Sequence, residues 1–177
     1  MKSIMTTLFA SALIIASAAA PSLAAEKDLS AKERDYLQRA LDGNHAELML
    51  GQLGSRLASS PEVKKSADKM VEKHGALDKE LMGYSKEYGL SGTPSVSPEA
   101  QATYDRLSKL SGPAFDQAFK QAVDSAHARE LALQNDELAS GTNPDLRNFA
   151  QGRVTALKQN PTPFKAAGGS GGAEKGW

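Results

Sequence analysis

The chain has 177 residues, enough for one domain with an apolar core, and it shows no internal repeat. It carries 21 basic and 21 acidic residues without a basic block, which argues against a nucleic-acid partner. Because it contains no cysteine, disulfides, thiolate catalysis and a lipid-attachment cysteine are excluded.

Residues 1–24 have the pattern of a secretory signal peptide. One basic residue, Lys2, precedes an apolar run from Leu8 to Ala16, and small residues follow around Ala24 at the expected cleavage point. The apolar run is shorter than the ~20 residues that a bilayer-spanning helix needs. We therefore expect a periplasmic or secreted protein with no transmembrane segment after the signal is removed.

The first half of the remaining chain predicts two long helices joined by a short turn. Ser30 and Glu33 form a capping-box pattern that opens a helix over 31–58. Ser60 followed by Pro61 then predicts an N-cap and a first helical residue, and the second helix runs to about residue 88.

The second half predicts a long connection followed by two more helices. Residues 89–112 are rich in glycine, serine and proline and exceed what a helix hairpin needs, so we expect a crossover that contains a short helix over 98–110. The third and fourth long helices are predicted over 113–139 and 144–160. The fold class is therefore all-α, a ferritin-like four-helix bundle over 29–161 with a short extra helix in the connection between helices 2 and 3. The glycine-rich residues 162–177 are predicted to be a disordered tail.

The first helix places a carboxylate on its apolar face. At ~100° per residue, Glu47 points the same way as Tyr36, Leu50 and Gly54, whereas His45 projects to the opposite, solvated face. A buried charge needs a partner. The partners of Glu47 should therefore lie on the other helices.

Each of the other long helices also carries a polar residue on its inner face. With ~1.5 Å of rise per residue, these residues lie roughly 14 to 20 Å from the adjoining turns, which is mid-bundle. The predicted polar layer consists of Glu47, His74, His127, Glu130 and Arg153.

The predicted polar layer has two interpretations. It is a metal site for iron, manganese or zinc if Glu47, His74, His127 and Glu130 converge, because bundle proteins hold metals with such side chains. It is a structural network without a cofactor if Arg153 pairs with Glu47 or Glu130 and repels a divalent ion. The second interpretation is favoured, because the Glu-x-x-His pattern of di-iron bundles is incomplete on both the second and third helices.

Catalysis receives little support from the sequence. No serine or lysine stands in a nucleophile motif, and no phosphate-binding loop is present. Asp116, one turn into the third long helix, is expected to favour that helix's N-terminus rather than to take part in chemistry. We therefore expect a protein that is not an enzyme.

Several segments resemble a known bacterial envelope family. They are MVEKH (Met70 to His74), LSKLSGPAFD (Leu107 to Asp116), the following His127, and PDLRNFA (Pro144 to Ala150). Together they resemble the family called domain of unknown function 4142, and the similarity runs from about residue 36 to 160. The resemblance implies an exported, ferritin-like helical bundle.

The chain departs from the family pattern at two places. Members typically carry aspartate where this chain has Lys73, and a proline followed five residues later by histidine where it has Thr155 and Asn160. The second departure removes the histidine that the fourth helix would contribute to a shared site. These features favour an exported, non-enzymatic binding or stress-related envelope protein, with a ferritin-like metal-binding or redox protein as the alternative. A third possibility is an interaction module whose outer helix faces bind a partner.

Overall fold

The computed structural model describes residues 29–159 and residue 164. Five α-helices make up this part of the chain: α1 (Ala31–Leu57), α2 (Pro61–Glu87), α3 (Pro98–Leu107), α4 (Gly112–Ser140) and α5 (Pro144–Gln159). The predicted four long helices and the short helix in the long connection are confirmed. The predicted signal peptide, Asn160 and most of the predicted tail lie outside the described residues.

The helices begin where the sequence predicts. Ser30 Oγ accepts the backbone N–H of Glu33, and Glu33 Oε2 in turn accepts the N–H of Ser30 at 2.9 Å, which completes the capping box. Ser60 Oγ accepts the N–H of Val63 at the start of α2, with Pro61 in the first turn. The end of α2 is closed by Gly89, whose φ of 66° places it in the left-handed region that favours glycine.

Two antiparallel hairpins, α1 with α2 and α4 with α5, form the bundle. The connection that contains α3 runs along the bundle's length, because α4 begins beside the α1–α2 turn and ends beside the start of α1. α3 packs against α1 and α4 and buries Leu107 in the core. This arrangement, with one long crossover, is that of ferritin-like bundles.

A carboxylate at each end of the bundle joins the two hairpins. At one end, Glu33 Oε1 accepts the backbone N–H groups of Thr142 and Asn143 at 2.7 and 2.6 Å; we call this the Glu33 clamp. At the other end, Asp116 accepts the backbone N–H groups of Ser59 and Ser60, each at 2.9 Å; we call this the Asp116 clamp. The expectation that Asp116 serves its own helix is therefore wrong, because its carboxylate caps the turn that opens α2 on the other hairpin.

The apolar core is divided into two clusters. The cluster at the Glu33 end includes Leu37, Leu41, Leu81, Leu146 and Phe149. The cluster at the Asp116 end includes Leu53, Val63, Leu107, Phe115 and Phe119. Between them lie the polar side chains of the middle of the bundle.

Close contact of the helices at the Asp116 end depends on Gly54. A Cβ at this position would lie 2.6 Å from the ring of Phe119 and 2.7 Å from the Cβ of Ala67. Phe164 also belongs to this cluster: it is buried, its ring lies 6.3 Å from that of Phe119, and Lys120 Nζ lies 5.2 Å from its centre. The predicted domain boundary at residue 161 therefore falls short of a core residue.

Candidate functional site

Glu47 is buried in the middle of α1, as its place on the apolar stripe predicts. It is 4% exposed, and its Oε2 lies 3.3 Å from Nε2 of His74 on α2. This contact has the distance of an ion pair but not the alignment of a hydrogen bond, and Oε2 has no hydrogen-bond donor among the described residues. Glu47 and His74 are thus neighbours, as the predicted layer requires.

Asn44, one helical turn before Glu47, determines which ring nitrogen of His74 carries the proton. Its Nδ2 donates to the His74 carbonyl at 3.0 Å, so its Oδ1 is the atom that faces His74 Nδ1 at 2.9 Å. An amide oxygen can only accept, so Nδ1 donates its proton and Nε2 of the neutral ring is left unprotonated. The sequence analysis did not select Asn44, although its three-residue spacing from Glu47 places it on the same face.

Burial keeps the Glu47 and His74 pair uncharged. Burial and, to a smaller extent, the charge of Glu130 raise the pKa of Glu47 to about 8, against the opposing charges of Arg153 and Arg129. Burial, together with the positive charges of Arg153, His127 and Lys73, lowers the pKa of His74 to about 3. At neutral pH a protonated Glu47 therefore faces a neutral imidazole.

Arg153 on α5 pairs with Glu130 on α4 rather than with Glu47. Its Nε and Nη2 both donate to Oε1 of Glu130, at 2.9 and 2.5 Å. The second oxygen, Glu130 Oε2, is out of contact with solvent and has no donor within the described part of the chain. Of the two pairings predicted for Arg153, the structure shows the one with Glu130.

His127 and His45 differ from their predicted placements. His127 is half-buried, and its Nδ1 lies 3.2 Å from the carbonyl oxygen of Val123 on its own helix, so it is bonded to none of the other layer residues. His45 is also half-buried, and its Nδ1 is shielded from solvent without a hydrogen-bond partner among the described residues, so the prediction of a solvated His45 is wrong. Helical periodicity predicts the direction of a side chain but not how much of it the neighbouring elements cover.

No set of three or more histidine, aspartate or glutamate side chains is arranged to hold a metal ion within residues 29–159 and 164. The proposed ligands Glu47 and His74 touch, Glu130 is occupied at one oxygen by Arg153, and His127 is bonded to backbone. The metal site stays a prediction.

A cavity of about 280 Å³ opens beside the polar layer, between α1 and α4 and beneath α3; we call it the mid-bundle cavity. Its inner wall carries Glu47, Glu130 and Arg153, while Leu77, Leu81, Leu133 and Phe149 are among its apolar side chains. Its rim includes the exposed residues Arg39, Gly43, Glu99 and Arg129. The cavity is therefore lined by both apolar and polar side chains.

α3 and the segment just before it cover the mid-bundle cavity, and two contacts hold this cover in place. Asp42 on α1 accepts the N–H and the hydroxyl of Ser95 at 2.7 and 3.0 Å, just before α3. Arg129 on α4 pairs with Glu99 in the first turn of α3 at 3.2 Å, an exposed contact. The cover is thus attached by polar contacts on both sides of the cavity.

Two further buried polar side chains of α4, Gln134 and Glu137, lie toward the Glu33 clamp, and the sequence analysis missed both. Tyr36 on α1 donates its hydroxyl to Gln134 on α4 at 2.6 Å. Glu137, one turn beyond Gln134, is buried under Gly141, and neither of its carboxyl oxygens has a hydrogen-bond partner in the described part of the chain; burial raises its pKa. The polar side chains of α4 therefore extend beyond the predicted layer.

The architecture and this polar layer define the class of protein, an all-α four-helix bundle of ferritin-like topology. The chain belongs to the family described as Domain of unknown function (DUF4142), whose sequence profile matches residues 18–166. No curated protein matches the chain. Within the described residues, no helix combines the length and the apolar character needed to cross a membrane.

A solved structure supports the fold. The chain is similar to a DUF305 fragment from Deinococcus radiodurans with a TM-score of 0.66 and 16% sequence identity, over 75% of this chain and 91% of that one. At this identity the similarity establishes the helical architecture alone.

Proposed function

We propose that this protein is a non-enzymatic binding protein of the bacterial envelope that takes a small amphipathic molecule into the mid-bundle cavity. The observation that carries the proposal is the cavity itself, about 280 Å³ of space beside a buried polar layer. Protein interiors are normally packed without voids of this size. An apolar cavity of about 150 Å³ is already large enough to bind benzene.

The lining of the cavity supports an amphipathic ligand. Leucine and phenylalanine side chains line the cavity together with polar side chains, among them the buried Glu47. Small-molecule sites typically combine such walls with few, well-placed polar groups. A binding role rather than catalysis is supported by the sequence, which has no nucleophile motif, and an envelope location by the predicted signal peptide.

Two matched glycine substitutions test whether the cavity binds. Gly43 lies at the cavity rim, Gly83 lies on α2 away from it, and a Cβ at either position would meet no atom within 4 Å. Gly43→Leu should therefore fill the mouth, whereas Gly83→Leu is a control for the same change on a helix surface. We expect hexan-1-ol to bind wild type and Gly83→Leu by calorimetry and to bind Gly43→Leu at least about tenfold more weakly. Equal binding to all three proteins, or to none, would contradict the proposal.

The contact between Glu47 and His74 favours a second candidate, a protein that binds iron, manganese or zinc. An unprotonated imidazole nitrogen beside a carboxyl group is a suitable pair of metal ligands. Glu130 and His127 would need to move to complete the site. Metal analysis of protein prepared from periplasm without a histidine tag tests it, and less than about a tenth of an equivalent of any transition metal would exclude this candidate.

A further inference from the structure

We propose that the cover of the mid-bundle cavity, residues 93–107, opens to admit ligands while the bundle beneath it stays folded. The admission of ligands rests on the proposed function, whereas the opening movement itself does not depend on it. Apolar side chains attach the cover at one end and polar surface contacts attach it at the other. The cover can therefore turn about its apolar end.

The apolar attachment lies at the C-terminal end of α3. Among the described residues 93–107, Leu107 alone is buried, within the apolar cluster at the Asp116 end. Tyr104, one turn earlier, is half-buried and packs against the same cluster, and its hydroxyl accepts a hydrogen bond from Arg56 at 3.1 Å. The end of α3 near Leu107 is thus the axis about which the cover turns.

The other end of the cover lacks apolar support, because the mid-bundle cavity lies beneath it. Val96, Ala100 and Thr103 line the cavity and are half-buried. Side chains that face a void lose the dispersion contacts that a packed helix face would make. The burial of apolar surface therefore opposes the opening of this end only weakly.

Polar contacts with α1 hold this end against the bundle. Asp42 accepts the N–H and the hydroxyl of Ser95, and Gln38 donates to the carbonyl oxygen of Thr93 at 3.3 Å. These contacts are exposed, so water can replace the protein partners when they separate. Breaking them leaves no polar group buried.

The ion pair between Arg129 on α4 and Glu99 on α3 crosses the rim of the cavity. Both residues belong to the rim, and their side chains are 57% and 74% exposed. An exposed ion pair contributes little to stability and is weakened by salt. Its separation would widen the mouth of the cavity at a small cost in free energy.

The bundle beneath the cover is held together independently of it. The Glu33 clamp and the Asp116 clamp join the two hairpins at opposite ends, and neither clamp uses a residue of the segment 93–107. The four long helices can therefore stay packed while the cover turns.

Thiol labelling tests the opening, because the chain contains no cysteine and an introduced one is the only thiol. Ala126→Cys places the thiol on the cavity wall, and Ala150→Cys places it in the core outside the cavity; the native residues are 6% and 0% exposed. We expect a bulky maleimide to label Ala126→Cys at least about tenfold faster than Ala150→Cys, because opening the cover costs less than opening the bundle.

Weakening the contacts of the cover should raise the labelling rate of Ala126→Cys and leave that of Ala150→Cys unchanged. Asp42→Ala removes the acceptor of both Ser95 hydrogen bonds, and we expect a rise of about fivefold. Glu99→Ala removes the exposed ion pair, and we expect a rise of about twofold.

Two controls separate an opening cover from a wider mouth. Asp105→Ala removes an exposed carboxylate of α3 that accepts a hydrogen bond from Gln101 on the same helix, and it should leave the labelling of Ala126→Cys unchanged. Salt at about 1 M changes no side chain, yet it should accelerate the labelling about twofold. This acceleration should be absent when Glu99→Ala is also present.

Hexan-1-ol connects the opening to the proposed function. At about ten times its Kd it should slow the labelling of Ala126→Cys about tenfold, because the occupied cavity excludes the reagent. Absence of this protection, with Asp42→Ala still accelerating the reaction, would overturn the admission of ligands and the proposed function but not the movement. A labelling rate that neither Asp42→Ala nor salt changes would overturn the movement and leave the proposed function standing. Leu77→Cys, on the α2 side of the cavity, gives the same measurement should Ala126→Cys fail to fold.

Discussion

Glu33 and Glu47 lie on the same helix and are buried to nearly the same extent, 3% and 4% exposed, yet the structure holds them in opposite charge states. Burial acts to raise the pKa of both. For Glu33 the hydrogen bonds from Ser30, Asn143 and Thr142 together outweigh burial and lower the pKa to about 2. For Glu47 no donor compensates, and the pKa rises to about 8.

The comparison shows that the hydrogen bonds donated to a buried carboxyl group decide its charge state in this bundle. The ends of the bundle offer free backbone N–H groups at the helix starts, and Glu33 and Asp116 bind them. In the middle of a helix the backbone donors are already used within the helix, so Glu47 finds none. The clamps therefore contribute to stability, whereas Oε2 of Glu47 stays without a hydrogen-bond donor in the described part of the chain.

The largest expected effect is at the Glu33 clamp. Glu33→Ala removes the acceptor for the backbone N–H groups of Ser30, Thr142 and Asn143 and leaves them partly buried without partners. We expect a loss of about 3 kcal/mol in the free energy of unfolding, measured by urea denaturation at pH 7. Glu80→Ala, an exposed change, should cost less than about 0.5 kcal/mol. A loss as small for Glu33→Ala as for the control would show that the clamp does not join the hairpins.

The Asp116 clamp should show a smaller loss of the same kind. Asp116→Ala leaves the N–H groups of Ser59 and Ser60 without their acceptor, and we expect it to cost about 2 kcal/mol. The hydrogen bonds from Ser59 and Ser60 and the charge of Lys120 outweigh burial and lower the pKa of Asp116, so its contribution is lost as the pH falls through the folded pKa. Urea denaturation at pH 7 and below pH 4 checks this, and a cost that does not shrink in acid would contradict the clamp.

Packing at the Asp116 end predicts a cost of about 1 to 2 kcal/mol for Gly54→Ala. The added Cβ would overlap the Phe119 ring and the Cβ of Ala67, which costs more than the ~1 kcal/mol that alanine contributes to a helix. Gly43→Ala is the matched control, because it adds the same methyl group to the same helix in open space and should stabilise the protein. Thermal unfolding of the two variants should therefore shift in opposite directions from wild type.

The dependence of stability on pH should distinguish Glu47 from Glu33. The folded pKa of Glu47 is raised, so wild type holds a proton there that the unfolded chain loses from about pH 4.5 upward. Its stability relative to Glu47→Gln should fall steadily between pH 4.5 and 8, so that the variant is the more stable protein at pH 9. For Glu33 the sign is reversed: its contribution is present above pH 4.5 and is lost toward pH 2. A difference profile for Glu47→Gln that is flat from pH 4.5 to 9 would contradict the protonated state.

Much of the fold and part of the site could be predicted from the sequence because they depend on local rules. Helical periodicity correctly predicted that Glu47 and His74 are buried, and the capping pattern located the start of α1. Depth along the helices correctly limited the pairing partners of Arg153 to Glu47 or Glu130. Each of these conclusions depends only on the pattern within one helix or on the distance of a residue from a turn.

The long-range partners could not be predicted in the same way. The sequence shows Glu33 as half of a capping box, but its other oxygen binds a turn more than a hundred residues away, and Asp116 likewise serves the opposite hairpin. His127 fits the inner stripe of α4, but its ring is half-buried and hydrogen-bonded to the backbone of its own helix. Such contacts depend on how the helices rotate against each other, which periodicity does not determine.

The division of the apolar core also bears on how the protein opens. Each end of the bundle has its own apolar cluster and its own clamp, and α1 is one of the continuous backbones that connect them. Contacts at one end therefore persist when the other end frays, so opening can proceed in separate cooperative units rather than in one. A ligand bound between the two clusters would couple those units, and its binding would slow amide hydrogen exchange at both ends of the molecule.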